Sequence, residues 1–248
     1  MLNLYTIATK PPVLAEQLHH NVLEEYTPAY QARPGMALPV ILCSESKPVI
    51  VIARWGCTTE AATMSLNSFP MDRILTQPPF NRWLHTQRCL IPANCFFARR
   101  TDTDLRPDEH NIYLIRILQS RLFLIGGLFT VEHRRNSKDI YSFLLLTTES
   151  ADVLRPLTDQ MPVILSIEHL STWLTSDHLI DVMHLADRSG DRWFDYFPVN
   201  SKILTPGMND RDLLKPLGLS LQEMTEREHK LKAIDIRQDR FDRKGGKW

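Results

Sequence analysis

The chain has 248 residues, 43% of them hydrophobic, and 29 Lys plus Arg balance 29 Asp plus Glu. This length and apolar content suffice for one large domain with a substantial core. Zero net charge does not predict nucleic-acid binding, because proteins that neutralise DNA phosphates usually carry a basic excess. The longest apolar stretch, residues 122–129, is far shorter than the roughly 20 residues of a membrane helix. Without a secretory signal or zinc-ribbon cysteine spacing, we expect a soluble cytoplasmic protein with no metal and no other cofactor.

Helical signals are few and short. The apolar residues of segment 13–25 recur every four positions, which is typical of an amphipathic helix. A second helix is expected to begin at Pro78-Pro79, because proline is well tolerated in a first turn. Ser166 is placed to cap a third helix, and residues 177–185 form a fourth short candidate.

Strand signals dominate the rest of the chain. They occupy residues 37–42, 49–54, 89–97, 111–118, 121–129, 139–148 and 192–199. Gln119-Ser120 is a tight connection, so residues 111–148 are interpreted as an antiparallel meander. The pattern predicts an α+β fold with a mainly antiparallel, barrel-like sheet and several short peripheral helices. We expect one domain over residues 1–224 and a charged tail over residues 225–248.

Six short segments follow one another at intervals that match a known family. They are Tyr26-Thr-Pro-Ala-Tyr-Gln31, Leu38-Pro-Val-Ile41, Arg54-Trp-Gly56, Arg88–Ala93, Gly127-Leu-Phe129 and Met161–Leu165. Together they resemble the SRAP (SOS response-associated peptidase) family. The resemblance implies a sheet-rich fold and the capture of abasic sites in single-stranded DNA. It also implies self-cleavage of the initiator Met as the associated peptidase activity.

The resemblance implies which residues carry the chemistry, and most of them differ here. The family uses a cysteine directly after the initiator Met, whose amine and thiol add to the aldehyde of the abasic sugar; this chain has Leu2. The glutamate that takes part in proton transfer corresponds to Ala98, and the proton-shuttling histidine corresponds to Thr158. Asn67 is the retained position. We therefore expect the scaffold without the covalent reaction.

The expected DNA contacts are three cations and one aromatic residue. If a groove is open beside the family site, Arg54, Arg73 and Arg99 are expected to line it. Trp55 stacks a nucleobase for about 1–3 kcal/mol if it is exposed, and is otherwise a core aromatic.

Other side chains offer alternative chemistry. Cys57 follows the Arg-Trp-Gly segment and is the candidate for a displaced thiol; its alternative is a small buried structural residue. Cys57 could also join His85, Cys89 and Cys95 around zinc, although their spacing fits no zinc-finger pattern. The acidic residues Glu149 and Asp159 either orient a pocket group or cap turns.

Two functions from different classes follow. The first is noncovalent recognition of single-stranded or abasic DNA on the family scaffold. The second is an interaction or regulatory module that binds a protein partner and no DNA. Zero net charge favours the second function, as does the replacement of two family arginines by Leu4 and Phe69 and the apolar Leu2. No membrane partner is expected.

Overall fold

The computed structural model describes residues 3–18, 26–45, 47–58, 65–100, 111–135, 138–190 and 192–227. Within these ranges the chain forms strands and short helices. The strands are β1 (Tyr5–Ile7), β2 (Ala29–Ala32), β3 (Ala37–Ser44), β4 (Lys47–Trp55), β5 (Ser68–Pro70), β6 (Arg88–Ala93), β7 (Cys95–Arg99), β8 (Ile112–Ile117), β9 (Phe123–Glu132), β10 (Ile140–Glu149), β11 (Gln160–Pro162), β12 (Ile164–Leu165) and β13 (Phe194–Pro198). The helices are α1 (Pro11–Leu18), α2 (Phe80–Thr86), α3 (Leu170–Thr175) and α4 (Leu179–Asp187), and a further helix is described over residues 221–227.

Five strands of the larger sheet close into a barrel. The order β10-β4-β3-β6-β9 returns to β10 through an antiparallel pairing of β9 with β10. A smaller sheet, in the order β13-β8-β7-β1-β2, shares the main core with the barrel. The rings of Phe96 in β7 and Phe123 in β9 lie edge to face across this core, 6.4 Å apart. The predicted α+β, barrel-like fold is confirmed.

Two pairings in the larger sheet are parallel. β10 runs parallel to both β4 and β5, which occupy successive positions along the same edge of β10. In this register Phe143 lies opposite Trp55, and Leu145 lies opposite Ser68. The strand β10 therefore brings the Arg-Trp-Gly segment next to Asn67, although a segment of ten residues separates Gly56 from Asn67 along the chain.

The strand predicted over residues 89–97 is divided between the two sheets. β6 belongs to the barrel and β7 to the smaller sheet, and Asn94 forms the corner between them. Its Oδ1 accepts a hydrogen bond from the Ala8 N–H at 2.6 Å, and its Nδ2 donates to the Arg121 carbonyl at 2.6 Å. One amide thus satisfies backbone groups at the point where the chain changes sheets.

The predicted meander over residues 111–148 is wrong in its first connection. β8 pairs with β7 and β13 in the smaller sheet, whereas β9 and β10 pair within the barrel. Gln119-Ser120 therefore carries the chain between sheets and does not close a hairpin. Only the second connection, between β9 and β10, joins paired antiparallel strands.

The helix predicted from Pro78-Pro79 is confirmed as α2, with Pro79 at its N-cap. The helix predicted over residues 13–25 is observed as α1 through Leu18, and residues 19–25 lie outside the described ranges. Ser166 precedes a 3-10 turn that leads into α3, and its side chain makes no capping hydrogen bond. This hydroxyl bonds Glu168 and His169 instead.

A buried arginine joins two helix ends to the barrel. The Arg88 guanidinium donates to the carbonyls of Leu84 and His85 in α2, and to those of Trp173 and Ser176 at the end of α3, at 2.5–3.1 Å. Carbonyls at helix C-termini lack intrahelical donors, and a positive charge there also complements the helix dipole. The arginine of the Arg88–Ala93 segment therefore has a structural role.

Residues after β13 cover the outer face of the smaller sheet. Ile203 and Leu213 join Leu4 in a second apolar cluster on that face. The Asn209 side chain accepts a hydrogen bond of 2.7 Å from the Tyr30 N–H on the edge strand β2. Since an unpaired strand edge is a template for unwanted pairing, this amide protects it.

The predicted domain limit at residue 224 falls within a helix that is described over residues 221–227. The buried Asp195 carboxylate accepts a hydrogen bond of 3.0 Å from the Gln222 N–H in its first turn. The remainder of the predicted charged tail, residues 228–248, lies outside the described ranges. Among the described helices, none has the length and apolar character needed to cross a membrane.

Candidate functional site

Asn67 is held by its backbone, and its side chain is left unengaged. The Asn67 carbonyl accepts hydrogen bonds from Trp55 Nε1 at 2.8 Å and from the Leu145 N–H at 3.0 Å. Both donors belong to barrel strands, so the position of this residue is set by the barrel. Its half-buried side-chain amide has no hydrogen-bond partner among the described residues. The amide can therefore both donate to and accept from a ligand.

Gly56 leaves room for the Asn67 amide. Its φ of +125° lies where residues with a side chain are rarely found. A Cβ at this position would lie 2.3 Å from Ser65 Oγ and 3.1 Å from Asn67 Oδ1. The glycine of the Arg-Trp-Gly segment is thus required by backbone conformation and by close packing together.

Trp55 belongs to the core and offers no face to a nucleobase. It is 1% exposed, and its ring packs between Tyr5 and Phe143 at centroid distances of 5.2 and 6.1 Å. The stacking role therefore does not fit, since that role required exposure. Burial is favoured because the indole carries a large apolar area, and its N–H is satisfied by the Asn67 carbonyl.

Ala98 lies inside the main core. It occupies β7 opposite Tyr113 of β8 and has no exposed surface. Tyr113 is half-buried, and its ring meets that of Tyr196 edge to face at 5.8 Å. The position where the family resemblance expects a glutamate is therefore apolar and closed to solvent.

Thr158 uses its hydroxyl for local structure. Its Oγ1 donates to the Gln160 carbonyl at 3.0 Å, and its N–H donates to the Leu154 carbonyl at 3.0 Å. A threonine hydroxyl does not accept and release protons near neutral pH as a histidine does. Leu2, the third replaced position, lies outside the described residues.

Cys57 is a buried structural residue. It has no exposed surface, and burial raises the pKa of its thiol to about 12, although a hydrogen bond from Thr130 opposes this shift. At neutral pH almost none of it is the nucleophilic thiolate. The buried alternative for Cys57 is confirmed, and its role as a displaced nucleophile does not fit.

The three predicted cations are exposed but stand on separate elements. Arg54 is on β4, Arg73 is at the end of a 3-10 turn, and Arg99 ends β7. Arg54 Nε makes a long hydrogen bond of 3.4 Å to the Gly35 carbonyl. Their roles as DNA contacts stay predictions.

A groove of about 550 Å³ lies beside Thr158 and carries mostly negative charge. It is lined by Pro70, Asp72, Thr147, Thr148, Glu149, Arg155, Asp159 and Gln160. Glu149 and Asp159 therefore line this groove. The other charged groups of the lining are the Asp72 carboxylate and the Arg155 guanidinium. Such a lining repels phosphate.

A second groove of about 420 Å³ lies along α2, and its ionisable side chains are basic. Arg82 and His85 line it without any carboxylate. The sequence reasoning missed this site. The available signal was their spacing of three residues, which places both side chains on one face of a helix.

The candidate zinc ligands do not form a metal-binding cluster among the described residues. No group of three or more His, Cys, Asp or Glu side chains in the described ranges is arranged to hold a metal ion. Cys57, Cys89 and Cys95 are all buried as free thiols.

Comparisons with known proteins agree with the fold and the motif order. Residues 1–206 match the profile of the family described as SOS response associated peptidase (SRAP). Over 200 residues the chain is 27% identical to the abasic site processing protein YoaM of Bacillus subtilis, covering 77% of this chain and 86% of YoaM. It is 24% identical over 201 residues to the abasic site processing protein YoqW of the same organism, covering 77% and 87%.

Solved structures show the same architecture. A protein from Bacteroides thetaiotaomicron superposes with a TM-score of 0.72 at 16% identity, covering 88% of this chain and 100% of that one. A phage-related protein from Bordetella bronchiseptica gives 0.63 at 18% identity, covering 81% and 95%. At these identities the similarity concerns the fold alone.

Proposed function

The chain belongs to the SOS response-associated peptidase family, and we propose that it recognises abasic sites in single-stranded DNA without bonding to them covalently. The names of the Bacillus relatives, abasic site processing proteins, support this substrate class. The observation that carries the proposal is the Asn67 amide, held in place by the barrel yet unengaged by the described residues.

An amide suits an abasic sugar. The ring-opened sugar presents an aldehyde oxygen, and the closed sugar presents a hydroxyl where the base is missing. Asn67 Nδ2 donates to either oxygen, and Oδ1 accepts from the hydroxyl. A normal nucleotide presents a base at this place, so these hydrogen bonds favour the damaged strand.

The residues at the family's other chemical positions support binding without chemistry. Ala98 supplies no acid, and the Thr158 hydroxyl is bonded to a backbone carbonyl. A positioned acid or base typically contributes 10²–10⁴-fold to a rate, and both groups are replaced here. The buried Cys57 thiol supplies no substitute nucleophile.

Two measurements test the proposal. Abasic single-stranded oligonucleotide is incubated with the protein and run on a denaturing gel, where we expect no adduct. Fluorescence anisotropy at low salt is expected to show tighter binding to abasic than to undamaged strand. Asn67→Ala should remove that preference. Asn111→Ala, at a half-buried asparagine directly before β8, should keep it.

The outcomes separate the possibilities. An adduct that survives denaturation would overturn the noncovalent mechanism. Absence of binding to either strand at low salt, where electrostatic attraction is strongest, would favour the protein-interaction module. That second function has lost part of its support, because Leu4 and Phe69 are buried and present no surface to a partner.

A further inference from the structure

The groove along α2 combines an apolar wall with hydrogen-bond donors. It is lined by Leu75, Pro78, Pro79, Asn81, Arg82 and His85. Leu75 is 48% exposed and contributes apolar surface to the groove wall. The volume of about 420 Å³ is in the range of small-ligand sites.

The two basic side chains of this groove are unpaired. Arg82 and His85 are exposed on α2, three residues apart, and neither forms an ion pair within the described ranges. Arg155 in the acidic groove differs, since its Nε lies 3.3 Å from an Asp152 carboxylate oxygen. An incoming anion at α2 therefore displaces no internal partner.

We propose that this groove binds a phosphate of the single strand, with Arg82 and His85 as donors and the apolar wall against the neighbouring sugar or base. The inference rests on the proposed function and assigns the place where the strand backbone is held. Arginine suits this task because its planar guanidinium donates two hydrogen bonds to one phosphate.

The groove is joined to the Asn67 segment by aromatic packing. Phe69, two residues after Asn67, stacks on Phe80 of α2 at a centroid distance of 3.8 Å. Phe80 in turn meets Trp83 edge to face at 5.4 Å. The helix that carries the groove is therefore packed against the segment that carries Asn67. In this proposal, the strand backbone next to the abasic sugar runs toward α2.

Charge decides between the two grooves. The groove beside Thr158 has three carboxylates and one paired guanidinium, whereas the α2 groove has an arginine and a histidine and no carboxylate. The polyanionic strand is repelled from the first and attracted to the second. This contrast exists despite the zero net charge of the whole chain.

The test compares one arginine in each groove. Anisotropy titrations of wild type, Arg82→Ala and Arg155→Ala use undamaged and abasic single strands at several salt concentrations. Arg82→Ala is expected to weaken binding to both strands about fivefold, the scale of an exposed ion pair. It should also lower the slope of log affinity against log salt by about 0.7, the value of one lost single-strand phosphate contact.

Arg155→Ala is the matched control and should not weaken binding. Both residues are exposed, so both variants should keep the wild-type melting temperature. As a direct probe, a 5′-phosphorylated thymidine dinucleotide should shift the amide NMR signals of Asn81, Arg82 and His85.

Unchanged affinity in Arg82→Ala, or a loss in Arg155→Ala, would overturn the groove assignment and leave the proposed function standing. A retained abasic preference in Asn67→Ala would overturn the role of Asn67 in the proposed function and leave the groove assignment standing. Wild type that binds neither strand and shows no dinucleotide shifts would overturn both.

Discussion

The indole nitrogen of Trp55 donates a hydrogen bond of 2.8 Å to the backbone carbonyl of Asn67. Trp55 pairs with Phe143 of β10, and Ser68, the residue after Asn67, pairs with Leu145 two positions further along the same strand. The buried tryptophan of the Arg-Trp-Gly segment therefore supports the retained asparagine from within the core. In the proposed function, Trp55 therefore acts on DNA binding only through Asn67.

Trp55→Phe should lower the free energy of unfolding by roughly 1–3 kcal/mol, because it removes this hydrogen bond and leaves space in the core. Urea denaturation measures the loss. Trp83→Phe, on a half-buried tryptophan of α2, is the control and should cost less. The preference for abasic over undamaged strand should fall in Trp55→Phe and stay unchanged in Trp83→Phe. Equal effects of the two variants would contradict the role of Trp55 in supporting Asn67.

Gly56→Ala should be more destabilising than Gly35→Ala by roughly 1–3 kcal/mol. Both glycines have positive φ, so both variants carry backbone strain. Only at Gly56 does the added methyl meet other atoms, since nothing lies within 4 Å of a Cβ at Gly35. Thermal unfolding of the two variants isolates the steric contribution, and similar losses would show that the Gly56 contacts relax easily.

Ala98→Glu, which reinstates the family's acidic residue, should destabilise the protein by about 3 kcal/mol or more. The position is fully buried opposite Tyr113, so the carboxyl group would lose its hydration on entering the core. Arg99→Glu, on the adjacent exposed residue, should change stability by only about 0.5 kcal/mol. Chemical denaturation distinguishes them, and a stable Ala98→Glu variant would mean that the core opens there.

Stability should fall at high pH because of buried thiols. Burial raises the pKa of Cys57 from 9.0 to about 12, so the folded state holds the proton that the unfolded chain releases above pH 9. The stabilisation is complete below pH 9 and is lost as pH rises towards 12, by up to about 1.4 kcal/mol per pH unit per thiol. Cys57→Ala should make the free energy of unfolding, measured by urea denaturation, fall less steeply between pH 9 and pH 12. Rapid reaction of the native wild-type thiol with a thiol reagent at pH 8 would contradict its burial.

Strand positions were largely predictable from local pattern, and sheet membership was not. The runs at 37–42 and 49–54 became β3 and β4, which pair with each other across a short turn. Residues 89–97 also have strand character throughout, yet Asn94 divides them between two sheets. Pairing with β1 and β8 decides that division, and these partners are distant in sequence.

The sequence by itself determined the family, the order of the strands and the replacements at Ala98 and Thr158, because these are properties of residue identity and spacing. Tertiary structure alone decided that Trp55 is buried, that the Asn67 amide is unengaged and that Arg82 and His85 line a groove free of carboxylates. The physical reason is that exposure and local charge depend on which distant segments pack together. A chain with zero net charge can thus carry separate acidic and basic grooves.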